Sequence, residues 1–302
     1  MRIKFEDINV TYGKVLSYLG MELSFDHGVF KVTMKGYIEK LIKENNVTEF
    51  AQTPASNDLF NITNEERLSD KEQKATHSLV AQLLYLSVRV RPDILLPANF
   101  LSTRINKFTG NDRIKLSRIL KYLNYTKDLG LSLKCSNPEE IEITTAADAS
   151  YGCHVDGKGQ TGMLTSLGAG AVNSTTSKQK LVAKSSSEAE LIASSDGISH
   201  LVNVKNYLSS RGFKIKNLKL LQDNVSTKHI IKNGIKSAKR MRHLNIRYFF
   251  MKQYVDDNNI EVKHVSTNDM IADLFTKPIQ GEQFNMLRDK VLGTTPMCEA
   301  ED

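Results

Sequence analysis

The chain has 302 residues, 40% of them hydrophobic and 25% charged, enough to bury a sizeable core and, by length, better suited to two domains than to one. No run approaches the length of a membrane helix, the start Met1-Arg2-Ile3-Lys4-Phe5-Glu6 lacks the apolar core of a signal peptide, and neither a membrane partner nor export is expected. Its cysteines, Cys135, Cys153 and Cys298, are odd in number and far apart, which fits neither a disulfide framework nor paired zinc ligands and points to a reducing compartment. A net charge of +7 and a pI near 9.1 favour an anionic partner.

In chain order, Val15 to Phe25 and Val29 to Met34 read as two strand segments around an Asp26-His27-Gly28 turn, a hairpin. A short helix follows from Gly36 to about Glu44, and residues 51 to 70, with Pro54, Asn57, Asp58, Asn61 and Asn64, read as a loop. A new unit opens at Ser69. Three helical periods run from His77 to Val90, Asp93 to Ile105 and Asn111 to Lys127, with Asp93 placed to cap the segment after Pro92. Arg104, Lys107, Arg113, Lys115, Arg118, Lys121 and Lys127 form a positive edge that suits either a phosphate track or a solvated face.

From Ile141 the pattern changes to strands and helices in alternation. Glu142 to Ser150 is a strand carrying Asp148, and Met163 to Thr176 holds one or two more, with Gly168 and Gly170 at turns. Ser185 lies three residues before Glu188, the spacing of a capped helix start. Leu191, Ile198, Leu201, Val202 and Leu208 then give a helix to about Arg211 with one buried face. Glu188 reads as an ordinary N-terminal charge favoured by the helix dipole. Glu190 is open between that reading and a functional one, because Ala193, Ser194 and Gly197 leave small-sided surface beside it that a bulky group can approach. Lys219 to Asn224 is a strand carrying Asp223, followed by a helix from about Ser226 and a long basic helix. Ile260 to Val265 is the last strand, and Asn268 to Phe275 a terminal helix containing Asp273, stopped by Pro278. The tail from Cys298 to Asp302 is acidic and expected to be disordered.

Asp148, Glu190, Asp223 and Asp273 thus sit on elements that would pack against one sheet. Gathered carboxylates repel one another unless a cation neutralises them. A hard divalent metal suits them, and Mg²⁺ is commonly held by a few carboxylates together with phosphate oxygens. Two such ions about 4 Å apart activate a water and stabilise a leaving oxygen, which is nuclease chemistry.

At this point the chain resembles a known family, the ribonuclease H domain of copia-type long-terminal-repeat retrotransposon polyproteins. The resemblance rests on Ala147-Asp148-Ala149, on Lys178-Gln179-Lys180 with Ser185 to Leu191, and on Gln222-Asp223-Asn224. Two further blocks, Met241 to Tyr248 and Ile271 to Pro278, complete five in order over roughly residues 143 to 280. It implies an α/β fold, a ribonuclease H-like mixed sheet flanked by helices and preceded by a small hairpin and a helical thumb and connection region. It implies that Asp148, Glu190, Asp223 and Asp273 bind two Mg²⁺ ions, with Mn²⁺ able to substitute, and that Glu190 rather than Glu188 is the glutamate of the set. The implied reaction is hydrolysis of the RNA strand of an RNA–DNA hybrid, leaving a 3′-hydroxyl and a 5′-phosphate.

Upstream, Tyr18 to Leu23 and Leu84-Tyr85-Leu86 with Arg91 to Ile94 resemble the end of the reverse-transcriptase palm and the connection of the same polyprotein. The implied domains are a palm-end and thumb fragment at 1–68, a helical connection at 69–137, ribonuclease H at 138–281 and a tail at 282–302. The polymerase core is expected to be absent, leaving the rest of the polyprotein as a partner. Tyr254-Val255-Asp256-Asp257 spells the polymerase signature but closes a helical run instead of a strand turn, and is read as coincidence.

Between Asn224 and Val255 there is no acidic residue, while Lys228, Lys232, Lys236, Lys239, Arg240, Arg242 and Arg247 all lie there. This block is expected to hold the hybrid backbone. His264 ends a strand near the expected site, where it either moves a proton or is structural. The family usually carries a tryptophan shortly after its first aspartate, and this chain has none. The alternative function is therefore a non-catalytic, nucleic-acid-binding remnant; an integrase or transposase of similar fold is disfavoured by the match at Ile271 to Pro278. Elements of this kind act inside the cell, in cytoplasmic particles and in the nucleus, and that is the expected location.

Overall fold

A computed structural model describes residues 12–233 and 242–296, with the side chains of Asn233 and of residues 242–248 outside that description. Strands β1 (Val15–Tyr18), β2 (Met21–Asp26) and β3 (Val29–Thr33) form an antiparallel meander. Leu19 and Gly20 have φ of 50° and 78°, and His27 and Gly28 of 46° and 77°, two-residue turns whose twist matches that of their strands. The Asp26-His27-Gly28 turn is where the sequence places it. The run from Val15 to Phe25 is not one segment, because Leu19–Gly20 folds it back on itself.

Helix α1 (Lys35–Glu44) is followed by an irregular stretch and then by α2 (Asp70–Arg89), α3 (Leu95–Ser102) and α4 (Gly110–Tyr125). The second begins ahead of His77 because Ser69 and Glu72 satisfy each other's backbone N–H groups in a capping box. Asp93 caps nothing. It is fully buried against the guanidinium of Arg91 at 2.7 Å, and Tyr122 Oη donates to it at 2.6 Å. Arg91 donates its remaining N–H groups to Thr126 O and Oγ1 at 2.9 and 2.7 Å, so the buried charge is both paired and hydrogen-bonded.

The positive edge of α4 is likewise committed internally. Arg104 pairs with Asp112 and Arg113 with Glu72, Arg118 donates to Thr53 O, Lys115 to Asn61 O, and Lys121 meets Glu49. These five cations fasten the loop and helices together.

The rest of the chain supplies β4 (Leu131–Cys135), β5 (Ile141–Ser150), β6 (Gln160–Ser166), β7 (Gly168–Ala169), β8 (Asn173–Lys178), α5 (Ser186–Ser210), β9 (Ile215–Gln222), α6 (Val225–Asn233), α7 (Arg242–Asn258) and β10 (Ile260–His264). Strands β4 and β7 extend the N-terminal meander into a sheet of order β1-β2-β3-β4-β7. The second sheet has the order β10-β9-β5-β6-β8. Its β10–β9 and β9–β5 pairs are parallel, and β5–β6 and β6–β8 antiparallel. This is the expected ribonuclease H-like mixed sheet.

Beyond β10 the sequence reading needs correction. Asn268 to Phe275 is not one helix but two 3-10 turns, Thr267–Asp269 and Ile271–Phe275, separated by Met270 in an extended conformation. Pro278 is followed by α8 (Gly281–Leu292), which buries Phe284, Leu287 and Val291. Residues 282–302 are therefore not simply a tail, and Cys298 to Asp302 lie outside the described residues.

Two apolar clusters flank the second sheet, and alternation along its strands separates them. Ala147 and Leu220 point into one, with Leu191, Ile198 and Leu201 of α5. Their neighbours Ala146 and Leu221 point into the other, which continues without a break through Phe275, Phe284, α2, α4 and the N-terminal meander. The C-terminal segment is thus built into the core of the N-terminal half. No helix among the described residues is long and apolar enough to cross a membrane.

Candidate active site

Asp148 pairs across the sheet with Gly162. A Cβ at Gly162 would stand 2.7 Å from Phe275 Cβ and from Thr276 Cγ2, so only glycine lets the turn Ile271–Phe275 lie on the sheet there. That turn brings Asp273 beside Asp148, and Thr276 Oγ1 donates to Asp148 Oδ2. Asp148 is 1% exposed. Its Oδ1 is buried with no hydrogen-bond partner, a costly condition for a carboxylate oxygen that nothing else neutralises.

Glu190 reaches the same point from the other layer. Ser185 caps α5 as expected, accepting from Glu188 N, but the Glu188 carboxylate accepts from Lys184 N at 2.8 Å instead of from the cap residue. Ala193, Ser194 and Gly197 are buried, and a Cβ at Gly197 would sit 3.1 Å from Ala147 Cβ. The small-sided surface therefore admits the sheet itself, which fixes the depth of α5, and is not an open approach for an outside group. From there Glu190 Oε1 accepts from Ala149 N at 3.3 Å and Oε2 from Gln222 Nε2 at 3.4 Å.

Gln222, which the sequence did not single out beyond its motif, is built into the site. Its fully buried amide also donates to Ser194 Oγ at 2.9 Å and accepts from Asn224 N at 3.0 Å. It ties Glu190 to the strand end that carries Asp223. Only its place beside Asp223 in Gln222-Asp223-Asn224 could have pointed to it. His264, paired with Gln222 across parallel strands, donates Nε2–H to the Asp223 carbonyl at 3.0 Å. The imidazole holds the end of β9 through its backbone.

One ligand atom each from Asp148, Glu190 and Asp223 lie within 4.8 Å of one another. Asp273 is not in that group. It meets Lys277, whose Nζ lies 2.6 Å from Asp273 Oδ1 and 3.5 Å from Asp148 Oδ2. Burial, and then the Asp148 and Asp223 charges, push Glu190 up to about 9. Burial and Asp148 push Asp273 up to about 8, and the same two causes raise Asp223. Burial alone would lower Lys277, but Asp148 and Asp273 outweigh it and raise the ammonium. An all-oxygen carboxylate set with an orphaned buried oxygen fits a hard divalent cation.

No family model matches the chain. It is 30% identical over 224 residues, 73% of its length, to the retrovirus-related Pol polyprotein from transposon RE2 of Arabidopsis thaliana. It is 28% identical over 290 residues, 92% of its length, to the corresponding polyprotein from transposon TNT 1-94 of Nicotiana tabacum. The chain is homologous to a segment of the Pol polyproteins of copia-type retrotransposons. It spans 15% and 22% of those two relatives. Among solved structures it is similar to a foamy viral protease–reverse transcriptase in complex with RNA/DNA hybrid, with a TM-score of 0.45, 12% identity, and coverage of 89% of this chain and 31% of that one. Against RNase H1 of Halobacterium salinarum the TM-score is 0.35 at 13% identity, covering 45% of this chain and 94% of the other.

In this Pol segment the basic block is only partly visible. Lys228 and Lys232 lie on α6. Lys236, Lys239 and Arg240 lie outside the described residues, and Arg242 and Arg247 are on α7 with side chains outside the description. Tyr254 to Asp257 falls within α7, where Asp256 takes the Lys252 ammonium at 2.7 Å. The polymerase-like tetrapeptide is helical here and not a strand turn.

Proposed function

We propose that this chain is a metal-dependent ribonuclease H that hydrolyses the RNA strand of RNA–DNA hybrids during retrotransposon reverse transcription. The observation that carries the reading is the convergence of Asp148, Glu190 and Asp223, from β5, α5 and the end of β9, on one point. Mg²⁺, as two ions and replaceable by Mn²⁺, would supply Lewis acidity and a water acidic enough to attack a phosphodiester near neutral pH. Asp148, Glu190 and Asp223 would hold it, with Asp273 as a fourth acid. Gln222 keeps Glu190 turned inward, and His264 fixes the end of β9 through the Asp223 carbonyl.

The hybrid backbone would lie along Lys228 and Lys232 and on through Lys236, Lys239, Arg240, Arg242 and Arg247, held by counterion release. On this reading residues 138–281 carry the nuclease and 1–137 a palm-end, thumb and connection segment that works beside the remaining reverse transcriptase, in cytoplasmic particles and in the nucleus. Strand-labelled substrates test the reaction class. In Mg²⁺ the native chain should cut the RNA strand of a hybrid to 3′-hydroxyl and 5′-phosphate ends and spare the DNA strand and duplex DNA. Cleavage of duplex DNA ends with the hybrid left whole would replace this reading with a transposase-like one.

A further inference from the structure

Lys277 stands between two of the four acids. Its Nζ contacts Asp273 Oδ1 at 2.6 Å and Asp148 Oδ2 at 3.5 Å, while Asp148 Oδ1 is buried and has no partner. Asp273 lies beside Asp148 but outside the group whose ligand atoms all lie within 4.8 Å of one another, which among the described residues holds Asp148, Glu190 and Asp223. The four acids therefore fall into two unequal sets. Three share one point, whereas the fourth is paired with the ammonium of Lys277.

We propose that Lys277 is a built-in counter-ion which occupies the position a second divalent cation would take between Asp148 and Asp273, so that this cation binds only by displacing it. The inference rests on the reading of Asp148, Glu190 and Asp223 as a metal site. A first ion on those three would leave the closest contact of Lys277, to Asp273 Oδ1, untouched. A second ion coordinated by Asp148 Oδ2 and Asp273 Oδ1 would compete for the same oxygens and be repelled by the ammonium charge. Lysine suits this role because its charge is a point on a flexible four-carbon stem. The Lys277 side chain is 37% exposed while those of Asp148 and Asp273 are 1% and 3% exposed, so the lysine has a route to solvent and the acids do not. Thr276 holds Asp148 Oδ2 from the neighbouring position, which keeps that oxygen in place when the ammonium leaves. Lys277 is thus a positioning residue that makes occupancy of the second position depend on cation concentration or on added phosphate ligands.

The test is a Mn²⁺ titration of the full chain followed by electron paramagnetic resonance of the free ion, without nucleic acid. The native chain should bind one ion tightly and a second at least tenfold more weakly. Lys277→Met, with Lys277→Gln as a second neutral variant, should tighten the second step tenfold or more and leave the first within a few-fold. Adding Asp273→Asn to Lys277→Met should abolish the gain. If the native chain binds Mn²⁺ and the neutral variants bind it with unchanged number and affinity, the displacement role is wrong while the three-carboxylate site stands. If no protein in the set binds Mn²⁺, the metal-site reading falls and this inference with it.

Discussion

Asp148 on β5 is paired with Gly162 on β6, and the missing side chain at Gly162 is what allows the turn carrying Asp273 to lie against the sheet beside Asp148. Gly162→Ala should therefore act without changing any charge. The added methyl meets Phe275 and Thr276 at 2.7 Å, and overpacking of this kind costs about 1–3 kcal/mol. Denaturant unfolding should show that loss. Nuclease activity should fall further than stability predicts, because Thr276, Lys277 and Asp273 shift together.

Gln222→Leu should separate orientation from charge. It removes the amide that reaches Glu190, Ser194 and Asn224 N and leaves every acid in place. Outer-shell changes of this type lower metal affinity or activity by about 10–100-fold. A Mn²⁺ binding curve should move by that factor while far-ultraviolet circular dichroism is unchanged.

Without divalent cation, stability should fall as pH rises. Glu190 and Asp273, pushed up to about 9 and about 8, bind protons more tightly folded than unfolded, so the folded chain carries more protons throughout the interval. By linkage their contribution is fully present below the ordinary carboxylate range and is lost as pH rises through 8 to 9. Melting temperatures in EDTA should decline across that window, and Mg²⁺ should restore most at its upper end, where ion binding no longer has to displace protons.

Arg91→Met should be severely destabilising without touching the site. It leaves Asp93, buried with Tyr122, without its cation, and breaking one partner of a buried pair costs about 3–5 kcal/mol. Thermal unfolding checks the loss. Asp93→Leu in the same chain should recover part of it, because removing both charges relieves the uncompensated one.

Local chemistry was legible in the sequence wherever it alone decides conformation. The Asp26-His27-Gly28 turn, the Ser185 cap, the strand bearing Asp148 and the strand that ends just before Asp223 depend on nearest neighbours, and the structure has them there. What tertiary partners decide was not legible. Asp93 looks like a cap until Tyr122 and Arg91 enclose it. The basic residues of α4 look like a phosphate track until Thr53, Asn61 and Glu49 arrive from a distant loop. Ala193, Ser194 and Gly197 look like an opening until the sheet fills it. Three of the four acids meet as their order implies, and Asp273, beside Asp148 but outside their common point, is paired with Lys277.

The most direct measurement is cleavage of a labelled RNA–DNA hybrid by the purified chain in Mg²⁺, beside Asp148→Asn/Glu190→Gln. The native chain should cut the hybrid specifically and the double variant not at all, with hybrid binding retained in both. A native chain that binds hybrid yet leaves the RNA whole in Mg²⁺ and in Mn²⁺ would contradict the ribonuclease H reading and leave a non-catalytic binding segment in its place.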